Sequence, residues 1–260
     1  MVTTDSPAQE SGRMAAPKLA AQKSATVFQV STLPALSLGL YSGTMTFGEL
    51  LKHGNFGLGT FDALDGELIV LKGKAWRVRA DGRVSPVENK ATTPFAAVTH
   101  FAPHQSLSLP QPVDYVGLQQ WVSLALTTNN TPYAIEIRGT FTRIKVRSVP
   151  RQSKPYRPLA EVVKTQSVWE WTNIRGTLVG FRFPGYLSGV NLADYHFHFL
   201  SDDTQRGGHL LDCELQNGTV RIQNLRGFKM QLPSSSDFDH ANLATDHSAA
   251  LKATEQAGVH

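Results

Sequence analysis

The sequence predicts an α+β fold that is predominantly β, with two lobes built on mixed and antiparallel sheets and a few short helices. Several runs alternate between apolar and polar residues with a period of two, which is typical of half-buried strands. In residues 115–126 the apolar residues recur at the spacing of an amphipathic helix. We find neither a regular strand–helix alternation nor a G-x-G-x-x-G motif, and this disfavours a Rossmann or barrel architecture.

The composition indicates a globular protein without a charged binding face. Of the 260 residues, 41% are apolar and 18% are charged, and the formal net charge is +4. Because no run of five Lys or Arg occurs, we expect neither nucleic acid nor membrane as a partner. Cys213 is the only cysteine, so no intrachain disulfide can form. We see no signal-peptide core and no apolar membrane span, and we therefore expect a cytoplasmic protein.

The first half of the chain predicts short elements after a disordered leader, residues 1–26. Thr46 begins a capping box that ends at Glu49, which predicts a short helix stopping at Gly54. Two strands are expected on either side of Asp65-Gly66, at 57–61 and 67–71. A hairpin turning on Asp81-Gly82 is expected within residues 76–84.

The middle of the chain predicts one helix and one long strand. Residues 115–126 place their apolar side chains on one helical face. Residues 133–149 alternate as a strand, but the apolar phase slips near Thr142, which predicts a bulge there. The prolines from Pro150 onward predict a lobe boundary, with an N-terminal mixed lobe at 27–150 and a C-terminal metal-binding lobe at 151–260.

The last third of the chain predicts four more strands and a tail. The strands are expected at 177–183, 194–200, 209–215 and 220–225. The last two are predicted to be joined by a turn at Asn217-Gly218. A helix is expected in the tail, at 249–256.

A cluster of histidines predicts a metal site. Residues i and i+2 of a strand leave it on the same face, so His196 and His198 project together while Phe197 and Phe199 project from the other face. Two such imidazoles can both reach one ion. From the pair alone, two half-buried histidines without a metal remain the simpler interpretation.

His209 strengthens the metal prediction. If the strands that flank residues 201–208 pair as a hairpin, Leu200 lies near His209 and His198 becomes its diagonal neighbour on the same face. Three neutral nitrogens from two adjacent strands are suited to Zn²⁺, and the same ligands also accept iron, copper, nickel or cobalt. Cys213 is expected on the same face as His209, as a small core residue and not a ligand.

These motifs resemble those of the acetolactate decarboxylase family. The resemblance rests on residues 59–68 (GTFDALDGEL), on residues 146–152 (VRSVPRQ) with Pro155-Tyr156, and on the H-x-H and G-G-H cluster. It runs from about Val27 to the C-terminus. It implies a lyase that converts 2-acetolactate to acetoin and CO2, a step toward butanediol, with no organic cofactor. It also implies a homodimer.

The resemblance further implies the roles of individual residues. The family's zinc ligands fall on His196, His198 and His209. Its active-site arginine, which would bind the substrate carboxylate, falls on Arg147. Its two catalytic glutamates fall on Glu67 and Glu255, with Thr60 in the same matched loop and the tail returning to the site. Without the resemblance, nothing in the spacing would distinguish Glu67, Arg147 or Glu255 from ordinary surface residues.

Two other functions remain open from the sequence. A zinc-dependent hydrolase of a small ester or lactone would use the same three histidines to activate a water molecule. A β-rich binding module would use them only to stabilise the fold.

Overall fold

The computed structural model describes residues 25–244, and within them most residues of the core lie in strands. The helices are α1 (Leu33–Ser37), α2 (Phe47–Leu50), α3 (Tyr115–Ala125), α4 (Leu159–Val162) and α5 (Ser236–Asp239). The strands are β1 (Thr26–Val30), β2 (Met45–Thr46), β3 (Phe56–Thr60), β4 (Glu67–Leu71), β5 (Lys74–Val78), β6 (Val84–Pro86), β7 (Thr92–Thr93), β8 (Ala96–Thr99), β9 (Gln105–Ser108), β10 (Val113–Asp114), β11 (Tyr133–Ser148), β12 (Ser167–Phe183), β13 (Asp194–Ser201), β14 (Gly207–Asn224) and β15 (Gly227–Gln231). Short 3₁₀ turns lie at Asp62–Leu64, Val163–Thr165 and Gly185–Leu187.

Two large sheets confirm the predicted fold class. The first sheet is mixed and has seven strands in the order β15-β1-β8-β3-β4-β5-β6, where only the β1–β15 pair is parallel. The second sheet is antiparallel, in the order β10-β14-β11-β12-β13, with β9 also paired to β14. Because β13 pairs with β14 as well as with β12, four strands close into a ring.

The sheets draw their strands from both halves of the chain. β15 joins the first sheet although it lies near the end of the described residues, and β11 joins the second sheet although it precedes Pro150. The lobe boundary at residue 150 stays a prediction. Most of the leader and the tail helix at 249–256 fall outside the described residues, and β1 begins at Thr26, one residue before the expected start of order.

Around β13 the second sheet is buried on both faces, and this determines where the functional residues lie. On one face Phe197 and Phe199 pack with Leu118 and Val122 of α3 in a hydrophobic cluster. The opposite face carries Val179 and Leu200, which pack against Leu58 and Ile69 of the first sheet. Alternation along β13 therefore points His196 and His198 toward the first sheet.

The bulge predicted near Thr142 is confirmed. The pairing of β11 with β14 shifts register between Thr140 and Phe141 and again between Phe141 and Arg143.

The capping prediction for α2 is confirmed in part. The Thr46 side chain accepts a hydrogen bond from the Glu49 backbone N–H, while the Glu49 carboxylate accepts one from Lys52 instead of reaching back to Thr46.

The turn predicted at Asn217-Gly218 is wrong, because β14 runs without a break from Gly207 to Asn224. Gly218 instead allows close packing of β14 against β11. Gly218 lies directly opposite Gly139 of β11, and a Cβ on Gly139 would come within 2.2 Å of the Asn217 carbonyl oxygen. A turn-forming dipeptide thus lies inside a strand because two backbones approach closely there.

The face predicted for Cys213 is also wrong. β14 contains one extra residue between Leu210, which lies opposite Val146, and Asp212, which lies opposite Lys145. This bulge reverses the alternation, so the buried Cys213 packs with Phe197 on the face opposite to His209. Its burial raises the pKa of the thiol far above its usual range.

Among the residues that the structure describes, no helix is long and apolar enough to cross a membrane.

Candidate metal centre

The three predicted ligands meet in the described structure. One nitrogen of each of His196, His198 and His209 lies within 4.8 Å of the others, and all three side chains are buried. His198 and His209 lie directly opposite each other across β13 and β14, so the hairpin is confirmed but its register is not. Leu200 pairs with Gly207 instead of lying beside His209, because the loop between the strands is shorter than expected.

Each imidazole is held in a defined orientation. His198 Nδ1 lies 2.8 Å from the carbonyl oxygen of Leu68, which belongs to the first sheet. This contact leaves Nε2 of His198 directed into the cluster, an arrangement that is usual behind metal-binding histidines. His196 Nε2 lies 3.1 Å from His209 Nδ1.

Burial keeps two of the rings neutral. Desolvation lowers the pKa of His196 to about 3, with the charge of Arg147 as a smaller cause. Desolvation, followed by the neighbouring His196, holds the pKa of His198 well below its usual range. Neutral imidazole is the form that donates a lone pair to a metal ion.

Glu67 and Arg147 lie beside the histidines with opposite charges. Arg147 occupies a position opposite His209 in the pairing of β11 with β14. A nitrogen of its guanidinium is 3.9 Å from Glu67 Oε1, and Glu67 Oε2 is 3.6 Å from His198 Nε2. Glu67 is 6% exposed and Arg147 is 3% exposed, so neither is the solvated surface residue that the spacing alone would suggest.

Thr60 fixes the loop that carries Glu67. Its Oγ1 donates a hydrogen bond of 2.8 Å to the Gly66 carbonyl oxygen, and Thr60 pairs with Glu67 across β3 and β4. Gly66 has φ +101°, and a Cβ there would lie 2.3 Å from the Val78 carbonyl oxygen. Glycine is therefore required immediately before Glu67.

An ion-pair cluster behind this loop was not predicted from the sequence. Asp65 is 8% exposed, and its carboxylate lies 2.9 Å from Arg77, 3.3 Å from Arg79 and 3.7 Å from Arg151. Arg77 lies in β5, Arg79 directly follows it and Arg151 follows β11, so only the fold brings all three to Asp65. The Asp65-Gly66-Glu67 loop is thus held by charge on one side and by Thr60 on the other.

The apolar wall of the pocket was also missed. Besides the polar groups, the pocket is lined by apolar side chains from α1, α4 and other segments, namely Leu33, Leu36, Leu64, Phe95, Val149 and Leu159. Nothing local in the sequence distinguishes them from core residues, because all six also pack together in one hydrophobic cluster.

The other predicted site residue, Glu255, lies outside the described residues. Among the remaining histidines that the structure describes, His53 is partly exposed and His100, His104 and His240 are exposed. None of these four belongs to a group of potential metal ligands.

The donor set fits a metal ion. In a tetrahedral zinc site with Zn–N distances of about 2.0–2.1 Å, two ligand nitrogens would be about 3.3 Å apart. The separation of 3.1 Å between His196 and His209 is close to that value. Three histidine nitrogens with a carboxylate and a guanidinium beside them match a catalytic site more closely than a structural one, which is usually closed by four protein ligands.

The fold and the site together define a predominantly β protein with a buried three-histidine pocket of catalytic type. The sequence model of the family described as Alpha-acetolactate decarboxylase matches residues 27–245. A curated relative of that name from Methylococcus capsulatus is 47% identical over 229 residues, covering 88% of each chain. Another from Bacillus subtilis is 38% identical and covers 88% of this chain and 90% of the relative.

Solved structures agree with the sequence comparisons. The crystal structure of alpha-acetolactate decarboxylase from Bacillus subtilis strain 168 superposes with a TM-score of 0.86 at 37% identity, covering 89% of this chain and 99% of that one. A Staphylococcus aureus protein described as similar to alpha-acetolactate decarboxylase gives a TM-score of 0.81 at 32% identity, over 89% of this chain and 97% of that one. The chain belongs to the alpha-acetolactate decarboxylase family, a family of carboxy-lyases.

Proposed function

We propose that the chain converts 2-acetolactate to acetoin and CO2 with one divalent metal ion, Zn²⁺ in the first instance, bound by His196, His198 and His209. The observation that carries the proposal is the meeting of three buried histidines with Glu67 and Arg147 in a chain of this family. When bound, such an ion would act as a Lewis acid toward the negative charge that develops on the substrate oxygens. No organic electron acceptor is then required.

Arg147 would bind the substrate carboxylate. The guanidinium is planar and can donate two parallel hydrogen bonds to a carboxylate, which fixes the orientation of the bond that breaks. Its burial strengthens this interaction, because the surrounding dielectric is low. Glu67 lies close enough to Arg147 to keep the guanidinium in place while the site is empty.

Glu67 would deliver the proton that completes the reaction. Loss of CO2 leaves an electron pair on carbon, and one proton must be added there to give acetoin. A carboxyl group beside the pocket can supply it as a general acid. The apolar lining residues would exclude water from the reacting carbon and contact the methyl groups of the substrate.

Glu255 is proposed as the second carboxyl group at the site, on the basis of the family resemblance. Its replacement by Gln is expected to lower kcat by about 10²–10⁴-fold, the usual contribution of a general acid or base. The assay is acetoin formation, and Glu88→Gln, a change at an exposed carboxylate, serves as the control. Wild-type kcat in Glu255→Gln would remove this residue from the mechanism.

The central experiment measures acetoin formation and bound metal together. The wild type, His198→Ala and His100→Ala are incubated with racemic 2-acetolactate, and zinc is quantified in each preparation. We expect about one metal ion per chain and full activity in the wild type and in His100→Ala, because His100 is exposed and outside the cluster. His198→Ala should lose both. If a folded, metal-loaded wild type released no acetoin but hydrolysed simple esters, the hydrolase interpretation would replace this one.

A cytoplasmic homodimer is proposed on the same family resemblance. Sedimentation at micromolar concentration would measure the mass, which is expected to be twice 28.4 kDa. A single species at the mass of one chain would contradict the dimer.

A further inference from the structure

The space between the two sheets opens into a second cavity, of ≈ 790 Å³, away from the histidines. Leu71 and Lys72, at the end of β4, line it from the first sheet. The other lining residues are Ser108, Leu109 and residues of β11, β12 and β14 in the second sheet. We call this space the wedge cavity.

The wedge cavity is separate from the candidate metal centre. Leu71 lines the wedge cavity and Glu67 lines the histidine pocket, and the two residues lie at opposite ends of β4. Four strand residues span about 13 Å. The apolar side chains of Ile69, Val179 and Leu200 pack between the sheets in the intervening region.

The side chains of the wedge cavity carry an excess of positive charge. The lining includes four cations and one carboxylate, namely Lys72, Arg138, Arg175, Arg221 and Glu136. The carboxylate is already neutralised, because Glu136 is 5% exposed and forms a hydrogen-bonded ion pair with Arg221. Lys72, Arg138 and Arg175 therefore remain as the charges that face the open part of the cavity.

The two arginines share one weak acidic partner. Arg138 lies 3.3 Å from Asp202, and Arg175 lies 3.8 Å from the same carboxylate oxygen. Their side chains are 54% and 71% exposed, so this contact leaves most of each guanidinium free to bind a further anion. Two guanidinium groups that converge on one oxygen repel each other, and a second anion between them reduces that repulsion.

We propose that the wedge cavity binds a small organic anion with at least two negative charges, a phosphate ester or a dicarboxylate, through Arg138 and Arg175. Lys72 contributes at the rim, on the turn after β4. The volume lies within the range of metabolite-binding sites, and Leu71 and Leu109 offer apolar surface to the uncharged part of the ligand. Both anion classes match the guanidinium group, which binds carboxylate and phosphate by paired hydrogen bonds.

Anion binding in the wedge cavity is linked to the loop between β13 and β14, the two strands that carry the histidines. Asp202 directly follows β13, which carries His198, and its backbone N–H donates to the Arg175 carbonyl oxygen at 3.0 Å. An incoming anion competes with the Asp202 carboxylate for the same two guanidinium groups. Asp202→Asn removes that competitor and is therefore expected to increase the affinity for the anion.

Calorimetric titration of the full chain, as purified, tests the proposal. Inorganic phosphate and succinate are titrated separately at constant ionic strength. The wild type is compared with Arg138→Ala/Arg175→Ala and with the control Arg83→Ala/Lys90→Ala, which removes two exposed cations elsewhere. Arg147→Lys is included because the histidine pocket also contains an arginine. All four substitutions to alanine affect exposed side chains, so each double variant should fold, and circular dichroism verifies it.

We expect saturable binding of at least one probe to the wild type, the control and Arg147→Lys. The affinity should fall by at least about tenfold in Arg138→Ala/Arg175→Ala and rise in Asp202→Asn. Binding of phosphate alone identifies a phosphate ester as the ligand class, and binding of succinate alone identifies a dicarboxylate. Absence of saturable binding of either probe to the wild type overturns the proposal. Unchanged affinity in Arg138→Ala/Arg175→Ala, or loss of binding in Arg147→Lys alone, overturns it equally.

Discussion

Glu67 and Arg147 are buried side chains that lie next to each other in the histidine pocket. An isolated buried charge would be very unfavourable, so burial of these groups depends on the contacts of Glu67, which lies 3.9 Å from Arg147 and 3.6 Å from His198. An incoming carboxylate must compete with Glu67 for the guanidinium. Substrate binding and proton delivery therefore involve neighbouring groups, and substitutions should separate the two effects.

At this scale we predict that Glu67→Gln and Arg147→Lys affect different kinetic constants. Glu67→Gln removes the acidic proton and should lower kcat by about 10²–10⁴-fold with a smaller change in KM. Arg147→Lys keeps the charge but loses the paired hydrogen bonds, so KM should rise by about tenfold. Steady-state acetoin assays measure both constants. Arg143→Lys, on the same strand but in a partly exposed ion-pair network, is the control and should change neither. An unchanged kcat in Glu67→Gln would contradict the proposed proton delivery.

At the scale of the element, β4 contributes to the site with both side chain and backbone. Glu67 supplies a carboxylate, and the next residue, Leu68, supplies the carbonyl oxygen that orients His198. The strand can do both because successive side chains point to opposite faces of the sheet, whereas the backbone carbonyl groups are directed away from the side chains. Its starting point is fixed by Gly66, whose backbone conformation and close contact with Val78 allow no side chain.

Gly66→Ala is therefore expected to damage both stability and activity. The new Cβ would combine an unfavourable positive φ with a contact to backbone, which we expect to cost about 2–4 kcal/mol in the free energy of unfolding. Urea denaturation measures the loss, and kcat should fall because Glu67 is displaced. Gly73→Ala is a matched control, because Gly73 also has a positive φ, of +76°, but its Cβ would meet nothing closer than 4.0 Å. That control should lose only about 1 kcal/mol and keep its kcat. Equal losses in the two variants would show that the contact with Val78 is unimportant.

At the scale of the whole molecule, the histidine cluster lies where the two sheets meet. His196, His198 and His209 belong to the second sheet, whereas Glu67 and Leu68 belong to the first. A metal ion bound by the three rings would hold β13 and β14 together next to this junction. Because a ligand that binds only the folded state stabilises it by mass action, the ion should contribute to the stability of the entire fold.

Removal of the metal is accordingly predicted to lower Tm. At a metal concentration about 1,000 times Kd, the bound ion contributes about 4 kcal/mol, which corresponds to a decrease in Tm of roughly 10 °C on chelation. Differential scanning calorimetry, before and after treatment with a chelator and again after addition of Zn²⁺, measures the effect. His198→Ala should show no dependence on added Zn²⁺. A wild-type Tm that is insensitive to chelation would contradict a metal at this site.

Local patterns in the sequence determined the features that depend on neighbouring residues. The alternation in residues 194–200 placed His196 and His198 on one face, and the helical spacing in residues 115–126 predicted α3 to within one residue. The phase slip near Thr142 predicted the bulge in β11. These features could be predicted because alternation along a strand and spacing along a helix are properties of the backbone over a few residues.

The other features depend on packing between distant segments of the chain. Asn217-Gly218 has a turn-forming sequence but lies inside β14, since the space beside Gly139 is set by the neighbouring strand. The burial of Glu67 and Arg147 depends on the contact between the sheets, and from the residues alone neither differs from a surface residue. The arginines around Asp65 and the wedge cavity likewise arise from segments far apart in the chain. A side chain's environment depends on which distant segments pack against it, and neither alternation nor spacing carries that information.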